Sequence, residues 1–411
     1  MIFRNYNAKN DNKKALRIWQ ECGWLDDDKN DKAGFDAFMN SVVCRIIDIN
    51  DSPECMVTST ECTLQYQNEI LPLSCVTSVN TSRIARKKGF ALQLTAQVIA
   101  EDAKNGADVS TLGMFEQGFY NKLGYGTGGY EHIISFDPSH LRINVNHRTP
   151  TRLSADDWEK IHHSRINRLS KHGYVNPKSS KITKAETLWS PNGFGLGYFD
   201  KSNILTHHLW FSVDKNMESG PYRIAWMSYQ NYEQFLELMA VVKSLGDQIR
   251  LVSMHEPSGI QMQDLLDKPF RNRIITKKSD YEHGMKAVAY WQMRICNLVN
   301  CLQKTHLNCT EFQFNLKLTD PIEKFLTNKT QWRGISGNYI INLGESSNAE
   351  KGHNSSLPTL TTTVNAFTRL WLGVVPASGL VVTDDISAPK ELIEKLDLAL
   401  RLPRPTPDWE Y

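Results

Sequence analysis

The sequence predicts an α/β protein that closes with a smaller α+β unit. Strand-like and helix-like apolar periods alternate up to about Tyr290, and beyond it apolar residues alternate one by one with polar ones. The length, 411 residues, suits two or three domains at about 100–200 residues each. A composition of 40% hydrophobic and 22% charged residues excludes wholesale disorder.

The elements follow in order. Leu71–Val79 is an apolar, β-branched run. Leu92, Leu94, Val98, Ile99 and Ala103 then recur at helical spacing, and Val109–Leu112 is a second short strand. That order reads as a parallel β-α-β unit. Asp137–Pro150 is polar, with a proline near each end, and reads as a linker. Ser154 with Asp157 is an N-cap signature that opens the next segment. There Leu209–Val213, Ile224–Tyr229 and Ile249–Met254 are strand-like. A helix carrying Phe235, Leu236, Met239, Val242 and Leu245 lies between the last two and ends at Gly246. In the third segment Phe312, Phe314, Leu316 and Leu318 alternate as in a half-solvated antiparallel strand. Tyr339–Leu343 and Leu360–Val364 follow, with helix patterns near Asn365–Leu372 and Pro389–Leu400. Pro403, Pro405 and Pro407 make the tail stiff and extended.

With 47 Lys+Arg against 45 Asp+Glu, the net charge of +2 gives no reason to expect a nucleic-acid partner. The start of the chain lacks the apolar core of a signal peptide, and no run of about 18 apolar residues occurs. A cytoplasmic protein without a membrane contact is expected. The eight cysteines form no C-x-x-C pair and read as reduced thiols. His162-His163 and His207-His208 are adjacent pairs whose side chains diverge in a strand, so no metal is expected. Trp210, Trp226, Trp291 and Trp332 read as core or interface anchors.

The most informative stretch is Ser74-Cys-Val-Thr-Ser-Val-Asn-Thr-Ser-Arg-Ile-Ala-Arg-Lys-Lys-Gly-Phe-Ala91. A strand enters a basic loop and a glycine opens the next helix. Helix N-termini carry unpaired N–H groups and the positive dipole end, which suits phosphates. Arg83, Arg86, Lys87 and Lys88 add positive charge, and Gly89 lets the backbone approach a ligand. The loop itself carries neither G-x-G-x-x-G nor the P-loop pattern. Taken alone, the loop also reads as a solvated basic turn before an amphipathic helix.

Arg86-x-x-Gly89-x-Ala91 after such a strand resembles the pyrophosphate loop of the GNAT acyl-CoA N-acetyltransferases. Gly118-Phe-Tyr-Asn-Lys-Leu-Gly-Tyr125-Gly126, downstream, resembles that superfamily's next helix, which ends in the tyrosine facing the thioester sulfur. Over essentially the whole chain the sequence is similar to the enhanced intracellular survival (Eis-type) acetyltransferases. Gly193-Phe-Gly-Leu-Gly-Tyr198, Trp332-Arg-Gly-Ile-Ser-Gly-Asn-Tyr339 and Phe367-Thr-Arg-Leu-Trp-Leu-Gly373 suit the later domains. The resemblance implies tandem GNAT-like domains followed by a sterol-carrier-protein-like domain. Residues 1–140 would be the catalytic unit and 150–286 a degenerate GNAT-like unit lacking the R-x-x-G-x-A loop. Residues 289–402 would form the sterol-carrier-like unit, and 403–411 a tail entering the active site.

The resemblance also implies roles. Val79, Asn80 and Thr81 would bind the thioester carbonyl and pantetheine of acetyl-CoA. Arg86, Lys87, Lys88, Gly89, Phe90, Ala91 and Leu92 would hold the pyrophosphate, with Tyr120 and Asn121 as a second cofactor contact. Tyr125 would be the general acid; a phenol pKa of about 10 is close to that of a released thiolate. Taken alone, Tyr125 is also readable as a buried aromatic in a Gly-rich turn. The carboxylate of Tyr411 would be the general base, reached by a tail spanning roughly 30 Å at about 3.3 Å per residue. Family acceptors include aminoglycosides and other polycationic amines, for which Asp26 and Glu410 are candidate contacts. Asp26-Asp27-Asp28 also reads as a solvated loop. Two other functions fit: acetylation of a protein lysine, or non-catalytic lipid or ligand binding by the third unit. The family forms symmetric hexamers, which makes a homo-oligomer the expectation.

Overall fold

The computed structural model describes residues 2–267, 276–328 and 330–410. Three sheets carry the fold. In the first, the order is Ile2–Asn5, Val43–Ile49, Ser52–Tyr66, Glu69–Thr81, Val109–Gly113, Trp291–Ile295 and Gly126–Thr127, with Val175–Pro177 pairing off Ser52–Tyr66. Glu69–Thr81 and Val109–Gly113 are its parallel pair, joined through helix Phe90–Lys104 as the alternating pattern predicts. Leu94, Val98 and Ile99 of that helix are buried against Ile47, Val57, Val76 and Leu112 of the sheet. Helices Ala8–Glu21 and Lys29–Met39 cover the opposite face through Ala15, Trp19, Phe35 and Phe38.

The second sheet runs Gly284–Val288, Glu131–Phe136, Val252–His255, Tyr222–Ser228, Leu205–Ser212, Phe194–Phe199 and Thr151–Leu153. It repeats the same device: Tyr222–Ser228 and Val252–His255 are parallel and helix Tyr232–Ser244 joins them. Phe235, Leu238, Met239 and Val242 of that helix are buried in the sheet's own core. The Ser154–Asp157 capping box is formed as expected, one turn before helix Trp158–Ile166. The third sheet orders Asn348–Lys351, Gly337–Leu343, Phe312–Thr319, Thr359–Thr363 and Ile386–Ser387. Phe314, Leu316 and Leu318 point into its core while Gln313, Lys317 and Thr319 are exposed. No helix of the described residues is long and apolar enough to cross a membrane.

Three strands depart from the linear division expected from sequence, the first being Val175–Pro177, placed in the second unit but paired with Ser52–Tyr66 of the first sheet. Trp291–Ile295, placed at the head of the third unit, is a strand of the first sheet, with Met293 opposite Thr111. Glu131–Phe136, placed in the first unit, belongs to the second sheet, with Met254 opposite Ile134. The two sheets therefore exchange strands. An apolar run specifies a strand, but its partner depends on register and on which face is covered, and neither is local. His162 and His163 lie on helix Trp158–Ile166.

Candidate active site

The site starts from a break in pairing. Glu69–Thr81 pairs with Val109–Gly113 only through Leu73, Ser74 and Cys75. Beyond Cys75 a bulge intervenes: Met56 faces Asn80 and Thr58 faces Thr77, so Ser78 and Val79 together oppose Val57. Ser78 takes φ 41°, and its hydroxyl meets that of Thr58 at 2.6 Å. A bulge bends its strand and strengthens the local twist. The two parallel strands therefore diverge, and Val76–Val79 present an unpaired edge to the central cavity.

The strand continues into the basic loop. Gly89 sits at φ 78° as the residue preceding helix Phe90–Lys104, a conformation that costs a non-glycine residue about 1–2 kcal/mol. A Cβ there would meet nothing within 4 Å, so glycine is required by the backbone and leaves room beside it. Arg83, Arg86, Lys87 and Lys88 are exposed around this helix start. At the root of the loop the amide of Asn80 is buried with both its oxygen and its nitrogen unpartnered, as is the Ser82 hydroxyl. Orphaned polar groups next to free helix N–H groups and exposed cations fit a phosphorylated pantetheine ligand. These residues would hold acetyl-CoA, which supplies an activated acetyl thioester.

Tyr120 and Tyr125 lie on one turn. Gly124, at φ 84°, bends it, and a Cβ at that position would come within 2.6 Å of Val364. Asn365 donates through Nδ2 to the carbonyls of Asn121 and Tyr125, each at 2.8 Å. Arg294 donates to the carbonyl of Leu123. Arg294 is fully buried, and its guanidinium is 2.5 Å from the equally buried carboxylate of Asp320 and stacks on Trp332 at 5.1 Å. Residues from the C-terminal third of the chain thus clamp a turn of the first sheet. The Asn121 side-chain amide lies 2.7 Å from that of Gln292.

The two tyrosines are placed differently. Tyr120 lines the central cavity. Tyr125 is wholly buried with its hydroxyl 2.7 Å from that of Ser110, and burial pushes its phenol well above the usual value. The rings meet edge to face at 6.2 Å.

The cavity, of about 1060 Å³, lies between the first two sheets and is closed by the chain's tail. The Thr406 amide donates to His172 (3.1 Å), and the Pro407 carbonyl accepts from Val175 (2.9 Å). Asp408 pairs with Arg168 at 2.6 Å, and the Trp409 indole donates to Glu186 at 2.5 Å. Gly173 makes the docking possible, since a Cβ there would be 2.5 Å from the Thr406 nitrogen. Glu410 reaches Arg223 and His255. Burial raises the Glu410 carboxyl, but the His255 hydrogen bond and the Arg223 charge overcome it and hold the pKa at about 2. Glu131, on the same wall, is pushed up to about 7 by burial against the opposing pull of His255.

Of the acceptor contacts expected from sequence, Glu410 lies on the cavity wall. Asp26 does not line it: it is an exposed turn residue whose amide bonds Asp31, while Asp27 pairs with Lys32 and Asp28 caps helix Lys29–Met39. Short acidic runs before a helix serve such caps locally. Tyr411 falls outside the described residues. Trp226 stacks on the buried Trp210 and also faces the cavity, where Arg165 stacks on it at 4.5 Å. His255, Glu131 and Arg223 were not singled out, because isolated polar residues at strand ends carry no sequence signal. His162, His207 and His208 are bonded to Thr183, Glu237 and Ser164, and burial lowers the pKa of each. Among the described residues no group of three or more His, Cys, Asp or Glu is arranged to hold a metal ion.

A splayed parallel pair, a glycine-initiated helix below a basic loop and a phenol-lined cavity define an acyl-CoA-dependent acyltransferase site. Residues 4–128 match the acetyltransferase (GNAT) domain family, whose members use acetyl-CoA, and the protein is an acyltransferase. No curated protein matches the sequence. Over its whole length the chain is similar in fold to a conserved protein from Enterococcus faecalis V583 described as a probable N-acyltransferase. There the TM-score is 0.79 at 15% identity, covering 100% of this chain and 99% of that one. Eis1 from Mycobacterium abscessus gives 0.77 at 12% identity, with 100% of both chains covered. A GCN5-related N-acetyltransferase from Kribbella flavida gives 0.75 at 14%, covering 100% of this chain and 98% of that one.

Proposed function

We propose that the protein transfers the acetyl group of acetyl-CoA to the amine of a small molecule bound in the central cavity. The observation that carries this reading is the coincidence, on one cavity, of the Val76–Val79 edge with a wall bearing Glu131, Glu186, Asp408 and Glu410. Carboxylates favour a cationic acceptor. Each, however, has a cationic partner: His255 for Glu131 (3.8 Å), Arg165 for Glu186, Arg168 for Asp408 (2.6 Å), and Arg223 for Glu410. Tyr120, Trp189, Trp226 and Trp409 add aromatic surface. This balance suits an amphipathic amine of low charge better than the aminoglycoside- or polyamine-like polycation expected from sequence. Closure by the tail favours a small molecule over a lysine on a folded protein.

In this reading Val79–Thr81 hold the thioester and pantetheine, and Arg86–Leu92 hold the pyrophosphate. Tyr125 returns a proton to the departing thiolate. The second sheet is a degenerate GNAT-like unit without a cofactor loop. The five-stranded third sheet is the sterol-carrier-like unit, and its buried Phe314, Leu316 and Trp371 support a packing role over lipid carriage. The tail from residue 403 closes the acceptor side.

Calorimetric titration with acetyl-CoA, followed by a thioester-consumption assay across an amine panel, tests the reading; absence of acetyl-CoA binding ends it. Arg86→Ala is expected to weaken acetyl-CoA binding by roughly tenfold, the value of one charge-assisted contact. The loss should shrink at high salt, because the side chain is exposed. Tyr125→Phe is expected to lower turnover by about 10²–10⁴-fold at unchanged acetyl-CoA affinity. If Tyr120→Phe alone has that effect, the acid role passes to Tyr120.

A further inference from the structure

Acetyl transfer to an amine needs a proton acceptor on the acceptor side, since a protonated ammonium has no lone pair. The cavity wall carries one imidazole held between two carboxylates. His255 ends strand Val252–His255; its Nε2 is 3.2 Å from Glu410 and its Nδ1 is 3.8 Å from Glu131. Glu131 opens the antiparallel neighbour strand, with Ile133 opposite His255. Arg223 closes the far side of Glu410. The His255 side chain keeps 30% exposure, so it is accessible from the cavity it shares with Val79 and Tyr120.

We propose that His255, in place of the Tyr411 carboxylate that the resemblance implies, is the base that takes the proton from the acceptor's ammonium, with Glu131 and Glu410 stabilising the resulting imidazolium. The inference rests on the acetyltransferase reading above. The acceptor enters as R–NH3+ and gives one proton to His255, which passes it to water in the cavity. The freed lone pair forms the N–C bond to the acetyl carbonyl carbon of acetyl-CoA, and the C–S bond breaks with its electrons on sulfur. The nitrogen loses a second proton as the sulfur gains one. The products are the N-acetyl amine, the CoA thiol and one released proton.

The charged groups facing His255 are Glu131, Glu410 and Arg223, with the His132–Glu256 pair alongside at 3.1 Å. Burial lowers the imidazole pKa, but the hydrogen bond to Glu410 and the charges of Glu131 and Glu410 outweigh it and raise the value above the ordinary 6.5. Only neutral His255 accepts a proton, so turnover should rise as pH passes upward through that raised value. Glu131, itself pushed up to about 7, titrates over the same range, so Glu131→Gln removes both that titration and one raising charge and should move this acidic limb to lower pH. His255→Gln should abolish the limb and lower kcat by about 10²–10⁴-fold, with acetyl-CoA affinity unchanged.

The test measures kcat/KM against pH for the full chain and both variants, with tryptamine and spermidine as acceptors. Both amines titrate well above this range, so the limb belongs to the protein. Loss of thioester absorbance is the readout, which the protein's own cysteines do not disturb. A uniform loss at every pH, with the limb unmoved in both variants, would mean that His255 only ties down the tail and would overturn the proposal. If His255→Gln misfolds by circular dichroism, the direction of the Glu131→Gln shift decides alone. A wild-type protein that binds no acetyl-CoA overturns the acetyltransferase reading. A wild-type protein that turns over while the variants keep its pH limb overturns only the role of His255.

Discussion

Removing residues 408–411 is expected to lower kcat/KM for the acceptor by about 10²-fold or more, the scale of lost positioning at a reacting centre. Acetyl-CoA affinity should stay within about twofold, because Asp408, Trp409 and Glu410 are held by Arg168, Glu186, Arg223 and His255, which belong neither to the pyrophosphate loop nor to the Val76–Val79 edge. The truncation deletes the Arg168 partner Asp408, the buried Trp409 and the Glu410 carboxylate between Arg223 and His255. It opens one wall of the cavity and removes the carboxylate partners of Arg168 and Arg223. Stopped-assay kinetics with calorimetry on the truncated chain separate the effects. Equal activity of the shortened protein would remove the tail from the site.

Asp320→Ala is expected to destabilise the fold by about 3–5 kcal/mol, the range for removing one partner of a buried ion pair. Both Asp320 and Arg294 side chains are fully buried. The carboxylate also accepts from the amides of Ile322 (3.2 Å) and Ile335 (3.0 Å), so three donors lose their acceptor together. Urea unfolding monitored by tryptophan fluorescence measures it, and a change below about 1 kcal/mol would place the pair in the surface class. Replacing both residues by apolar ones should cost much less, because no uncompensated charge remains. Even a stable double variant should be slower in turnover, since Arg294 also holds the Leu123 carbonyl in the Tyr120–Tyr125 turn.

The strand, loop and helix of the basic-loop region were legible in the sequence, and the make-up of the cavity wall was not. Strand Glu69–Thr81, Gly89 and helix Phe90–Lys104 are contiguous, so β-branching, a left-handed glycine and helical periodicity are each written locally. The bulge at Ser78 and Val79 left no such mark, because Thr-Ser-Val-Asn reads as ordinary strand. Charge alone does not distinguish a helix-capping turn from a binding wall, and Asp26 lies in such a turn. Aromaticity likewise does not reveal which face of a strand is covered, and Trp226 both packs on Trp210 and faces the cavity.

By itself, then, the sequence determined the β-α-β unit, the basic loop, the tyrosine turn and the proline-stiffened tail as separate pieces. Only the tertiary structure decided that Trp291–Ile295 and Glu131–Phe136 cross between sheets, and that Asn365 and Arg294 clamp the tyrosine turn. It also decided that Glu131, His255 and Glu410 meet on one wall. The physical reason is range. Periodicity and capping act over a few residues, whereas partner choice among strands depends on burial summed over the whole fold.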